Sequence, residues 1–222
     1  MAATHDRRPR GTLTGKAPAC MSPHMIPITL PQRLILIRHG ETEWNREGRL
    51  QGAQDIPLNA LGRTQAAEAA ERLKALAPDF AAFDYVASPM ERARETMDIL
   101  RRQLQLEPGA YRIDERLREL TFGEWEGFTW REIRKSEREQ AQMRERDKWG
   151  FVPPGGESYR MLAERIRPVL EELQRETVIV SHGGIARAVL ALVGAVSPQK
   201  AALVDIWQGK ILVVSGNQAD WL

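Results

Sequence analysis

Leu34-Ile35-Leu36-Ile37-Arg38-His39-Gly40 and Val178-Ile179-Val180-Ser181-His182-Gly183-Gly184 read alike: a short, branched apolar run passes straight into His-Gly. Runs of that length and branching predict strands buried on both faces, as in the parallel sheets of α/β proteins. Both histidines then emerge at carboxyl ends of strands, where open α/β sheets keep their ligand crevice. The other two histidines, His5 and His24, lie in an unpatterned leading stretch. A patterned region with its only two histidines at such positions points to chemistry.

Outward from the two strands, the chain alternates. Leu34–Ile37 predicts the first strand, and Asn59 caps a helix from Ala60 to about Ala77 that Pro78 ends. Asp84–Ala87 reads as a second strand, followed by a helix with Pro89 in its first turn, reaching about Leu106. Tyr111–Ile113 is a short third strand. Residues 114–158 break the rhythm with three tryptophans, a charged helical stretch over Thr129–Lys148, and the turn Pro153-Pro154-Gly155-Gly156. They read as an inserted helical cap. Glu157 to about Arg175 is a helix, Thr177–Val180 a strand and Ile185–Val193 a helix. Ala202–Ile206 and Lys210–Val214, joined at Gln208-Gly209, read as a terminal hairpin.

The 222 residues suit one domain with an insertion. Residues 1–32 are rich in Pro, Thr, Ala and Arg without period and read as a disordered extension. Within them Gly11–Lys16 faintly suggests a phosphate loop, but the spacing fails and Ala17 stands where Ser or Thr is needed. That extension carries a net +3, so residues 33–222 hold 28 basic and 29 acidic residues. Such balance argues against a nucleic-acid partner, which needs a basic patch on the fold. No stretch is long and apolar enough to predict a membrane span, and the single cysteine, Cys20, suits a reducing cytoplasm. The apolar stretch Ala202–Val214 and terminal Trp221-Leu222 leave a homodimer open.

Arg38-His39-Gly40-Glu41-Thr42-Glu43-Trp44-Asn45 resembles the signature of the histidine phosphatase superfamily, also called phosphoglycerate mutase-like. Five further pieces follow in the family's order. They are Gly48–Gly52, Asp55–Asn59, Ala87-Ser88-Pro89-Met90-Glu91-Arg92-Ala93, Leu117–Gly127 and Pro154–Ser158, after which Ser181-His182-Gly183-Gly184 completes the set. The likeness runs from about Arg33 to Leu222. It implies a three-layer α/β/α sandwich with a mostly parallel sheet and an inserted helical cap.

The resemblance also implies roles. His39 attacks phosphorus and becomes phosphohistidine, with Gly40 leaving room for close backbone approach. Arg38, Arg92 and His182 hold the phosphoryl oxygens, and Glu119 is the general acid that then activates water. The chemistry agrees: transferring phosphoryl oxygens carry negative charge, guanidinium forks fit them, and neighbouring cations keep an imidazole neutral. A carboxyl beside a phosphate should have a raised pKa, which lets Glu119 hold a proton. Asn45, Gln51 and Gly183 match positions that contact phosphate or substrate, although Asn45 and Gln51 read equally as loop residues bonding their own backbone. Helix amino-terminal N–H groups after Ser88 and Gly183 add favourable dipoles. Trp44, Trp125 and Trp130 read as packing, and one cation of Arg131–Lys148 can reach the pocket and read a second anionic group.

The expectation is a phosphatase for small phosphorylated metabolites, with no cofactor and no metal ion. The alternatives are a cofactor-dependent phosphoglycerate mutase on the same site and, more remotely, a non-catalytic phospho-ligand-binding protein. Family mutases carry longer insertions than the roughly 190 residues here, which favours hydrolysis.

Overall fold

Successive residues of a strand face opposite sides of a sheet, so an unbroken apolar run demands a core on each face. The computed structural model, which describes residues 26–222, meets that demand. In chain order its elements are β1 (Leu34–Arg38), α1 (Glu43–Glu47), α2 (Ala60–Leu76), β2 (Asp84–Ala87), α3 (Glu91–Gln103) and β3 (Arg112–Ile113). Then come α4 (Trp130–Ser136), α5 (Arg138–Arg146), α6 (Tyr159–Glu171), β4 (Thr177–Ser181), α7 (Gly183–Leu192), α8 (Pro198–Ala201), β5 (Ile211–Ser215) and β6 (Gln218–Trp221). The strands form one sheet in the order β3-β2-β4-β1-β5-β6. The first four are mutually parallel; β5 runs antiparallel to β1, and β6 to β5.

Ile35, Ile37, Val178 and Val180 pack on one face against the buried sides of α2 and α3. Leu34, Leu36 and Ile179 pack on the other against α6 and α7. The three-layer α/β/α arrangement is therefore written in the strands' alternation.

Several boundaries differ from the sequence reading. Pro89 stands two residues ahead of α3, whose cap is Met90. The charged stretch 129–148 is two helices, α4 and α5, because Glu137 leaves the helical region at φ −121°, ψ 48°. The hairpin lies further on than expected: 202–206 forms no strand, and β5 pairs with β6 across Gly216-Asn217. Gly216 takes φ 61°, and a two-residue Gly-containing turn is a strong hairpin signal that outweighs Gln208-Gly209. The expected extension, with Cys20, His5 and His24, lies outside the described residues up to position 25. Residues 26–32 lie along the body: Ile28 donates to the Leu192 carbonyl (2.8 Å), Leu30 to that of Gly216 (2.9 Å), and Leu30 is buried.

Of the expected cap, Leu117, Leu120 and Trp149 belong to the main core. The part with its own core is smaller, centred on Leu50, Trp125, Ile133 and Ala141, with Phe122, Trp130 and Phe151 against them. It is tied to the loop after α1, where Leu50 donates to Phe128 (3.0 Å) and Gly127 donates to Leu50 (2.8 Å).

Candidate active site

The register of β1 on β4 sets Arg38 opposite Ser181, so His39 and His182 leave the sheet side by side. Their ring centroids are 5.2 Å apart, edge to face, and both side chains are buried. His39 Nδ1 lies 2.7 Å from the carbonyl of Gly40. A carbonyl only accepts, so Nδ1 carries the proton and Nε2 keeps its lone pair. Burial, and then Arg92 and Arg38, hold the His39 pKa well below its usual value. The ring is neutral and oriented, with the Nε2 lone pair free.

His182 is fixed from the other side. Its Nε2 lies 2.7 Å from Ser88 Oγ, and that oxygen accepts from the Met90 N–H at 3.4 Å. A serine oxygen can accept twice; when the hydroxyl gives its own proton to Nε2, the imidazole proton stands on Nδ1. Burial, followed by Arg92, His39 and Arg38, lowers the His182 pKa as well. His182 is fully buried, at 0 % exposure.

The cavity at these strand ends has a volume of ≈ 530 Å³. Of the residues singled out in the sequence, Arg38, His39, Asn45, Gln51, Arg92, Glu119 and Gly183 all line it. Arg92, second residue of α3, is 0 % exposed and donates to the carbonyls of Gln54 (2.7 Å) and Gly52 (3.0 Å). Arg38 donates to the carbonyl of Ile206, and burial pulls its pKa down to about 10. Arg92 is lowered chiefly by burial too.

Among the described residues, seven buried side-chain polar atoms lack a hydrogen-bond partner. Four belong to this cluster: Arg38 Nε, Arg92 Nε, His182 Nδ1 and Gln51 Oε1. Orphaned buried polar atoms each cost about 1–3 kcal/mol. The two guanidinium Nε–H groups and the imidazole nitrogen suit an oxyanion, whereas the Gln51 oxygen, an acceptor, suits a donor such as a hydroxyl.

Glu119 reaches the site from the segment after Leu117, which Arg165 clamps by donating to the Arg118 carbonyl (3.1 Å) and pairing with Glu157 (2.7 Å). Both Glu119 oxygens accept from the Gly184 N–H (3.1 Å). A Cβ at 184 would fall 2.2 Å from Glu119 Oε1, so a larger residue there would displace the end of that carboxylate. The Gly184 amide is thus taken by the carboxylate. The neighbouring carboxylates are engaged elsewhere: Glu115 pairs with Arg118 (2.7 Å), and Glu126 accepts from Ala53 (2.9 Å) and Gln54 (3.0 Å). Gly40 does leave room for close backbone approach: a Cβ there would meet the Gly62 carbonyl oxygen at 2.1 Å.

Asn45 makes the local backbone bond weighed for it and also faces the cavity. Its Oδ1 closes a capping box with Thr42 (3.2 Å), while the residue lines the cavity. Trp125 is buried in the cap's core; Trp130 packs on it and also lines the cavity. Ser88, Arg144, Tyr159 and Arg187 stand at the site without having been singled out individually. Arg187, four residues after Gly183 on the helix that follows, was legible in the spacing, because helical residues four apart share a face.

Comparison with known proteins gives the same picture. The family model described as histidine phosphatase superfamily (branch 1) matches residues 34–221. Glucosyl-3-phosphoglycerate phosphatase of Mycobacterium tuberculosis (strain H37Rv) is 36% identical over 173 residues, covering 72% of this chain and 74% of its own. A 2,3-bisphosphoglycerate-dependent phosphoglycerate mutase of Parvibaculum lavamentivorans is 30% identical over 192 residues, covering 83% and 90%. The solved structure of mycobacterial glucosyl-3-phosphoglycerate phosphatase complexed with VO3 superposes with TM-score 0.72 at 32% identity, covering 86% of this chain and 96% of that one. With paired strand-end histidines, a ring of orphaned donors and this match along nearly the whole described body, the chain belongs to the histidine phosphatase superfamily, branch 1.

Proposed function

We propose that this chain is a phosphatase that hydrolyses small phosphorylated metabolites through a phosphohistidine formed on His39. The observation that carries the reading is the His39 ring, held neutral by its surroundings with Nδ1–H on the Gly40 carbonyl, amid the orphaned donors of Arg38, Arg92 and His182. Nε2 of His39 attacks phosphorus, and the bond from phosphorus to the ester oxygen breaks. Glu119 gives the leaving oxygen its proton and later takes one from water, whose oxygen attacks the phosphohistidine. The N–P bond breaks, releasing inorganic phosphate and neutral His39. Charge on the equatorial oxygens is met by the guanidinium groups and His182 Nδ1–H, donors fixed before substrate arrives. A cavity of ≈ 530 Å³ suits a metabolite of modest size.

Phosphate release from a chromogenic phosphomonoester, with and without chelator, tests the reading on wild type and His39→Ala. Chelator-resistant turnover should fall on the order of 10⁴-fold or more in His39→Ala. Activity surviving that substitution removes the phosphohistidine step. The mutase-named relative favours a second reading, in which the phosphoryl group returns to substrate. That reading requires activity dependent on a bisphosphorylated primer and little free phosphate. Phosphoester binding without turnover on any substrate would instead mark a non-catalytic phospho-ligand-binding protein.

A further inference from the structure

The phosphoryl site accounts for the inner cations, Arg38 and Arg92, but the cavity wall carries an outer tier. Arg49, Arg134, Arg144, Lys148 and Arg187 line it, against Glu145 and Asp205 beside the Glu119 of the phosphoryl site. Two of these cations are neutralised locally: Arg49 by Glu47 (2.6 Å), and Lys148 by Glu145 (2.9 Å). Arg187 is not. Its partners are neutral oxygens, the Val204 carbonyl at 2.9 Å and the Tyr159 hydroxyl at 3.4 Å.

Arg187 also faces a like charge. A Cβ at Gly183 would lie 3.4 Å from Arg187 Nη1 and 3.5 Å from Arg38 Cζ, so the two guanidinium groups flank one side-chain-sized gap. Arg144 closes the row from the cap. Its guanidinium lies 3.8 Å from the Trp130 ring centroid, its side chain is 12 % exposed, and its carboxylate contact is a single 3.4 Å approach to Glu145. Burial, with Arg187 among the neighbouring cations, lowers its pKa. Three guanidinium groups converging in a sheltered cavity repel one another, and an anion among them removes that repulsion.

We propose that Arg187 and Arg144, with the Tyr159 hydroxyl, form a second oxyanion subsite beside the phosphoryl site. The substrates are then phosphomonoesters bearing another acidic group, carboxylate or phosphoryl, a few bonds from the phosphorus. Arg187 supplies the fixed half, on α7. Arg144 supplies the half that arrives with the cap, so the cap reads the second charge. The subsite rests on the phosphatase reading for the name of its occupant only.

Turnover and binding therefore test it separately. The probes are 3-phosphoglycerate and glycerol bisphosphate, each against glycerol 3-phosphate, whose arm is neutral. Wild type should show kcat/KM at least about tenfold higher for an acid-armed probe, and Arg144→Gln and Arg187→Gln should each shrink that preference about threefold or more. Calorimetric titration of the same probes into His39→Ala should show the same order of affinity. Arg144, on the cap, carries the test if Arg187→Gln does not fold. Preference for 3-phosphoglycerate alone makes the second group a carboxylate; preference for the bisphosphate alone makes it phosphoryl. Equal handling of charged and neutral arms by wild type, or a preference undiminished in the folded variants, overturns the subsite. No turnover of any probe with the binding preference intact overturns the phosphatase reading and leaves the subsite standing.

Discussion

At the floor of the cavity His39 and His182 ride on two paired parallel strands sunk in the main core, whereas the cap presents Trp130 and Arg144 from helices of 7 and 9 residues around a core of four buried side chains. Isolated helices shorter than about 12–15 residues are marginal in water, so α4 and α5 depend on packing against Trp125 and Ile133. The floor's polar groups are held by fixed oxygens: Gly40 for His39, Ser88 for His182, and Gly52 and Gln54 for Arg92. The cap's charges are held by stacking and by exposed carboxylates. Bond making needs atoms fixed to fractions of an ångström, while substrate selection tolerates a piece that gives way. The two regions meet in Glu126, a cap residue that accepts from Ala53 and Gln54 in the loop whose carbonyls hold Arg92.

The difference predicts unequal responses. Trp125→Ala removes the centre of the small cap core, where loss of a buried aromatic costs about 3–5 kcal/mol. Hydrogen exchange should show amides of 130–146 losing protection while those of β1 and β4 keep theirs. If the strands open together with the cap, the separation of floor from cap is wrong.

Ser88→Ala tests the floor. Leaving His182 Nε2 buried without a partner costs about 1–3 kcal/mol. Freeing the tautomer lowers kcat roughly tenfold to hundredfold, the scale of lost orienting partners. The variant's kcat is read beside its denaturant midpoint; a kcat within about twofold of wild type reduces Ser88 to packing.

Acid separates the regions most finely. His39 and His182 have folded pKa values well below 6.5, so the unfolded chain takes up their protons first. The stability they contribute is present above pH 6.5 and is lost as pH falls toward the folded values, at about 1.4 kcal/mol per pH unit for each ring. In the cap, Glu132 is lowered by hydrogen bonds from Thr129, and Glu145 by Lys148. Those contributions hold until pH falls below the ordinary carboxylate value of 4.5. Denaturant midpoints between pH 7 and 5 should therefore fall through the floor alone. Midpoints that stay level or rise would mean that the imidazoles charge in place.

The strands and the two histidines were legible because burial on both faces leaves a short, branched apolar run that passes straight into His-Gly. Asn59 announced α2 through its side chain, which accepts from the Gly62 N–H at 2.8 Å. The hairpin was misplaced because Gln208-Gly209 and Gly216-Asn217 are both turn signals, and only pairing with β1 selects the second. Glu119 could be chosen from its crowd of carboxylates by its motif alone; why it stands there depends on the clamp by Arg165 and on the bare Gly184. Ser88 was in plain view within Ser-Pro, but its partner lies 94 residues away.

By itself the sequence determined the α/β class and the strand-end histidines through residue type and local spacing, and the phosphoryl chemistry through the order of its motifs, which resemble a known family. Only the tertiary structure decided which nitrogen of His39 is free, which amide Glu119 occupies, and which hydroxyl stands against His182. Those depend on distances between segments far apart in the chain, which packing sets and local spacing does not encode.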